Sequence, residues 1–193
     1  MTEAELHEWL SKMAVGDKEA FEVIYRETKE HVYRTVSFLL RNKQDVCDVV
    51  SEVYIELFKS LPNYNARQPF RAWLNGLTIR QTQNWNRKVW RRFRLYDRSK
   101  LLEAEKVSTR IEKEVIEHEN TEELLSVLQN LSYKLKTVLV LRYYHDHSFE
   151  EIATILDISV NTAKSRHRVA LQKLKTEAIF SLEDKGALLD ANG

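Results

Sequence analysis

Apolar residues recur at three- and four-residue spacing along most of the chain, the period of helices that bury one face. Leu6, Trp9, Leu10 and Met13 make the stripe of a first helix, opened by Thr2 and Glu5 at capping-box spacing and stopped near Gly16. Asp17 caps a longer second helix through Phe21, Ile24, Tyr25, Val32, Val36, Phe38 and Leu39, which ends around Arg41. Val46, Val49, Val50, Val53, Leu57 and Phe58 predict a third from about Asp45 to Ser60, with Pro62 following its end. The run NYNARQP, 63–69, is rich in turn formers and predicts a loop. Pro69 fits the first turn of a fourth helix, in which Phe70, Trp73, Leu74 and Leu77 point to a core.

The periodicity then fades. From about Ser99 to Asn120 the chain is highly charged and poor in aromatics, the composition of a linker that can turn helical transiently. Order resumes where Asn120 and Glu123 form a capping box ahead of Leu124, Leu125, Leu128 and Leu131, and Ser132 caps a further helix bearing Leu135, Val138, Leu139 and Leu141. The expected fold class is all-α: a helical domain over residues 1–95, a charged linker over 96–120, a four-helix domain over 121–178, and a tail, 179–193, with little to pack.

The second domain closes with SFEEIATILDISVNTAKSRHRVALQKLK, 148–175, two helices joined by a tight turn. Ser148 and Glu151 make another capping box, Ile152, Ile155 and Leu156 form the apolar stripe, and Ala153 is small where a second helix must cross closely. Asp157 suits the left-handed backbone of a turn, Ile158 tucks inward, and Ser159 caps a helix from about Val160. On that helix Ala163, His167, Ala170 and Leu174 share one face, leaving Asn161, Lys164, Ser165 and Arg168 on another. Lys164, Arg166, Arg168, Lys173 and Lys175 carry its charge, with no acid before Glu177. Such a helix can lie in a major groove with its first turns toward base edges; the bland alternative is a solvated basic face.

Four glycines and two prolines agree with a helical chain, and the single cysteine, Cys47, excludes an internal disulfide framework. No CxxC or Cys/His cluster offers a zinc site, and no cofactor is expected. No charge-poor run is long enough to span a bilayer, and TEAELHEWLSKMAVGD, 2–17, is too acidic for a signal peptide, so a cytoplasmic location is expected.

A net charge of +1 conceals uneven sorting: Thr2 to Glu30 holds eight acids against four bases, whereas Arg87 to Lys100 holds seven bases against Asp97 alone. The third helix carries Asp45, Asp48, Glu52 and Glu56 with no Lys or Arg from Gln44 to Glu56, a ridge that should attract a basic surface, or else a solvated acidic face. The fourth helix runs on through Arg80, Asn84, Trp85, Arg87 and Lys88 into RKVWRRFR. Basic residues interleaved with Trp85, Trp90 and Phe93 suit a groove that holds a nucleic-acid backbone and stacks unpaired bases; the competing reading makes the tryptophans core.

In type and order GDKEAFEVIY, DVCDVVSEVYIELFKSL and FRAWLNGLTI, together with LQNLSYKLKTVLVLRYYHDHSFEEIATILDISVNTAKSRHRVALQKL, resemble the short extracytoplasmic-function sigma factors of bacterial RNA polymerase. The resemblance covers roughly 16–92 and 121–174, and it implies a promoter-specificity subunit that binds core polymerase and catalyses nothing itself. It implies that Asp48 and Glu52, flanked by Asp45 and Glu56, contact the polymerase clamp. It further implies that the loop bearing Asn63, Tyr64 and Arg67 and the helix bearing Arg80, Asn84, Arg87 and Lys88 read and open the minus-ten element. Lys164, Ser165 and Arg168, with Asn161, would face the minus-thirty-five element, and Thr162 and Arg166 the phosphates. An inhibitory anti-sigma protein is the other implied partner. Departures from the family pattern are Ser132 for a proline, Asp157 and Asn161 for glycines, Thr78, Ile79 and Arg80 for Ala-Arg-Asn, and Asn84 for an aspartate.

Two rivals differ in class. An enzyme could use His145, Asp146 and His147 as part of a metal site, but no further ligand grouping accompanies them and a turn explains them better. A dimeric helix-turn-helix regulator would bind duplex DNA unaided, yet it needs a sensor or receiver domain where this chain has an acidic helix followed by a basic-aromatic one.

Overall fold

The computed structural model describes residues 3–66, 68–100, 128 and 130–190. Thr2, Arg67 and most of the expected linker lie outside them, as do the cap at Asn120 and the helix start that follows it. Among the described residues there are seven α-helices: α1 (Glu3–Ala14), α2 (Lys18–Leu39), α3 (Val46–Ser60), α4 (Phe70–Lys100), α5 (Tyr133–Leu139), α6 (Phe149–Leu156) and α7 (Val160–Asp190). Helix α4 therefore runs into the stretch expected as linker, and α7 continues through most of the stretch expected as a tail.

Local chemistry sets the helix starts. Gly16 adopts φ +90°, a backbone that favours glycine, and the Asp17 carboxylate accepts from the Ala20 N–H at 3.1 Å to open α2. Asn42 caps a 3₁₀ turn, Lys43–Asp45, so α3 begins one residue later than the spacing predicts. The apolar faces of α1 to α4 then converge: Met13, Ile24, Val32, Val36, Val49, Val53, Leu57 and Leu74 are fully buried together. Inside this bundle the Thr28 hydroxyl donates to the Ile24 carbonyl at 2.6 Å and pairs with the Tyr54 hydroxyl at 2.8 Å. Burial pushes the Tyr54 phenol up to about 12.

The C-terminal unit does not stand apart from this bundle. A second buried cluster joins Leu39 of α2 and Ile79 of α4 to Val138, Leu141, Ile152 and Ala163. The Tyr133 hydroxyl donates to the Ile79 carbonyl at 2.7 Å across the same seam. The two helical units also touch directly among the described residues: α4 lies against α6, and α2 against α5. Between α5 and α6 the chain widens into a π-helical turn, Val140–Tyr144, closed by the His145 N–H on the Val140 carbonyl at 3.2 Å. Asp146 follows at φ +54°. That turn aims His145 and His147 at α2 and α4.

Candidate nucleic-acid interface

The helix-turn-helix is built as its sequence predicts. The Ser148 N–H donates to the Glu151 carboxylate at 2.7 Å while the Ser148 hydroxyl accepts from the Glu151 N–H at 3.1 Å. These donors hold the Glu151 carboxyl below the usual carboxylate range. Asp157 ends α6 in the left-handed region, φ 52° and ψ 56°. Ser159 then accepts from the Thr162 N–H at 3.1 Å and opens α7. Ile152 and Ala163 are fully buried where the two helices meet.

This packing turns the polar face of α7 outward. Asn161, Lys164, Ser165 and Arg168 are exposed and Arg166 is half-buried. Thr162 is tied to the cap, its hydroxyl 2.8 Å from that of Ser159. The Lys164 ammonium lies 5.9 Å over the Phe149 ring. His167, on the inward face, bonds the Tyr143 hydroxyl at 3.0 Å. The exposed cations stand at the N-terminal turns of a helix whose free N–H groups also favour phosphate.

A second cationic face runs along α4. Arg80, Asn84, Arg87, Lys88 and Arg91 are exposed and follow one another at helical spacing. The two tryptophans divide between the readings offered by the sequence. Trp85 is half-buried against the N-terminal core and its indole N–H donates to the Asp45 carboxylate at 3.0 Å, whereas Trp90 is 59% exposed with the Arg94 guanidinium 4.7 Å from its ring. In the loop Asn63 is exposed, but Tyr64 is packed: its ring centroid is 4.8 Å from that of Trp73 and its hydroxyl donates to the Gln68 carbonyl at 2.7 Å. Tyr64 shapes the loop that presents Asn63.

On α3, Asp48 and Glu52 are exposed and Glu56 is half-buried. Among the described residues no salt bridge reaches any of them. Asp45 differs, because its carboxylate is engaged by Trp85 and anchors α4 to the start of α3. Beside the ridge Phe21, Tyr25, Tyr54, Ile55 and Phe58 line an open groove of about 430 Å³.

The seam holds residues that sequence reasoning left without a role. His31 bonds Asn75 at 2.7 Å, Asn75 bonds His147 at 2.9 Å, and Thr35 bonds His145 at 2.9 Å. The His31 and His145 rings approach to 4.2 Å between centroids. Burial pushes both imidazoles down, His145 to about 3, and the Arg71 charge acts in the same direction.

Family models match both halves of the chain: Sigma-70 region 2 over residues 24–92 and Sigma-70, region 4 over residues 127–176. The chain belongs to the extracytoplasmic-function sigma factors. As such it is a promoter-specificity subunit, which directs transcription initiation at particular promoters. It is 29% identical over 165 residues to the "ECF RNA polymerase sigma-E factor" of Escherichia coli strain K12, covering 81% of this chain and 85% of that one. A protein of the same name in Haemophilus influenzae is 27% identical over 165 residues, covering 81% and 86%. The sigma factor RpoE of Bartonella quintana, solved in complex with the anti-sigma factor NepR, shares the fold at a TM-score of 0.67 and 17% identity, covering 82% and 96%. The cationic face of α4 falls in region 2 and that of α7 in region 4 of this sigma factor. Among its described residues no helix is long and apolar enough to cross a membrane, and no group of His, Cys, Asp and Glu is arranged to hold a metal ion.

Proposed function

We propose that this sigma factor docks on core polymerase through Asp48, Glu52 and Glu56 of α3, with Asp45 acting as an internal tie. The loop with Asn63 and the α4 face of Arg80, Asn84, Arg87 and Lys88 hold and open the minus-ten element. Asn161, Lys164, Ser165 and Arg168 read the minus-thirty-five element in its major groove, and Thr162 and Arg166 contact its phosphates. The observation that carries this assignment is the separation of charge by helix, with exposed acids on α3 and exposed cations on α4 and α7. The chain itself catalyses nothing and works in the cytoplasm with the polymerase. An anti-sigma protein holds it inactive; the structural neighbour from Bartonella quintana was solved in complex with an anti-sigma factor.

The direct test is reconstitution with purified core enzyme followed by transcription on fragmented genomic DNA. Core binding with selective initiation supports the assignment. Failure to bind core, with a footprint from the free protein on a two-fold operator, supports the regulator instead.

A further inference from the structure

The seam between the two units closes through a chain of hydrogen bonds whose donors and acceptors are fixed by their neighbours. The Thr35 hydroxyl donates its one proton to the His31 carbonyl at 2.7 Å, so toward His145 it can only accept. His145 therefore carries its proton on Nε2, and its Nδ1 is a bare lone pair. That Nδ1 is buried with no hydrogen-bond partner. A proton placed there would be a buried, charged N–H without an acceptor, which closed packing cannot satisfy. The Asn75 amide links the other two rings: its Oδ1 accepts from His31 Nε2–H, and its Nδ2 donates to His147 Nε2.

The charged groups facing this cluster mostly oppose added positive charge. Arg71 of α4 and His147 disfavour a proton on both His31 and His145, and His31 adds to this on His145 across 4.2 Å between ring centroids. Arg142 donates to the His147 carbonyl at 2.9 Å and adds another cation. Tyr144 contributes a neutral ring against His31 and His145. The counterweight is Glu151 of α6, whose carboxylate is 3.7 Å from His147 Nδ1 but is already held by the Ser148 N–H at 2.7 Å.

We propose that this imidazole–amide chain is a proton-operated latch: acidification charges His145 and His31 and releases the C-terminal unit from the N-terminal bundle. The closed state binds fewer protons than the open one between about pH 3, where closed His145 titrates, and the ordinary value of 6.5. Closure is therefore fully favoured above that ordinary value and weakens as pH falls below it. Resting on the promoter-recognition reading, release yields the extended conformer able to reach both promoter elements. Those elements lie about 25 base pairs apart, roughly 85 Å of B-form DNA. A compact body of this size has a radius of gyration of only about 16 Å.

The latch is tested on the full chain free of polymerase and DNA, so its outcome does not depend on which residues read the promoter. Cys47 on α3 and a second cysteine from Gln172→Cys on α7, both exposed positions, carry a donor–acceptor dye pair. From about pH 7.5 to about pH 5.5 the closed-to-open ratio should fall roughly tenfold through His145 and further through His31, with helical circular dichroism unchanged. His145→Gln keeps an amide donor for Thr35 but takes up no proton, and should remove one tenfold step. His31→Gln, which keeps a donor for Asn75, should remove the remaining part of the fall and serves if the first variant does not fold. Energy transfer that is the same at both pH values overturns the proposal, and so does a pH response that neither substitution reduces.

Discussion

The N-terminal core and the seam are both buried, but they are made of different material. The core packs Met13, Ile24, Val32, Leu57 and Leu74, which have no polar side-chain atoms to satisfy beyond the thioether of Met13. The seam sets a few apolar side chains beside Thr35, Asn75, His145 and His147, whose polar atoms must find partners in the closed state. Apolar burial is indifferent to pH, whereas a hydrogen-bonded imidazole cluster is not. The first region specifies the fold and the second regulates how two folded units sit, so substitutions should separate global stability from closure.

The largest effect belongs to the core. Leu57→Ala removes a fully buried side chain and should lower the free energy of global unfolding by about 2–5 kcal/mol, read from urea denaturation. This loss should be the same at about pH 7.5 and about pH 5.5. A loss that grows on acidification would put the core and the seam in one cooperative unit.

Next in size is Gly76→Leu. A Cβ at Gly76 would already meet the Ile155 Cγ2 and carbonyl at 3.6 Å, so the extra carbons of a leucine must push α4 and α6 apart. Overpacking of this kind costs about 1–3 kcal/mol, and here it should fall on closure while urea unfolding of the N-terminal bundle stays unchanged. Interdomain energy transfer decides: a variant that stays closed contradicts the seam's role as the weak contact. Comparable in size is Arg168→Ala, which should weaken upstream promoter binding by the polymerase complex by about 1–3 kcal/mol and leave closure untouched. Unchanged promoter selectivity removes Arg168 from the reading face.

The same contrast explains what the sequence disclosed. Helix caps and the helix-turn-helix were legible because their partners lie three or four residues apart, as in Ser148 with Glu151 or Ser159 with Thr162. The exposed cations of α4 and α7 followed from helical spacing alone. The seam was not legible, since its bonds join residues 44, 72 and 110 positions apart. Nor was the Asp45–Trp85 tie, 40 positions apart, so Asp45 passed for one more member of an open acidic ridge. One local signal did exist. Thr78 and Ile79, which depart from the sigma-factor pattern in α4, are buried, and Ile79 packs in the seam.

Tyr133→Phe is the smallest and cleanest of these perturbations. It deletes one hydroxyl that donates to the Ile79 carbonyl at 2.7 Å and leaves the ring in place. That carbonyl sits within α4 and has a second lone pair for helical bonding, so the loss should be that of one neutral hydrogen bond, about 0.5–1.5 kcal/mol. Burial pushes the Tyr133 phenol further up from its ordinary value of 10.0, so it stays neutral throughout the range in which the histidines titrate. Closure should therefore weaken by about fivefold at both pH values, with the pH response of the energy transfer unaltered. His145→Gln should show the reverse pattern, with closure nearly intact at about pH 7.5 and the response to acid reduced. Matching pH responses in the two variants would mean that the imidazoles hold the seam as ordinary hydrogen-bonding groups and that protons do not operate it.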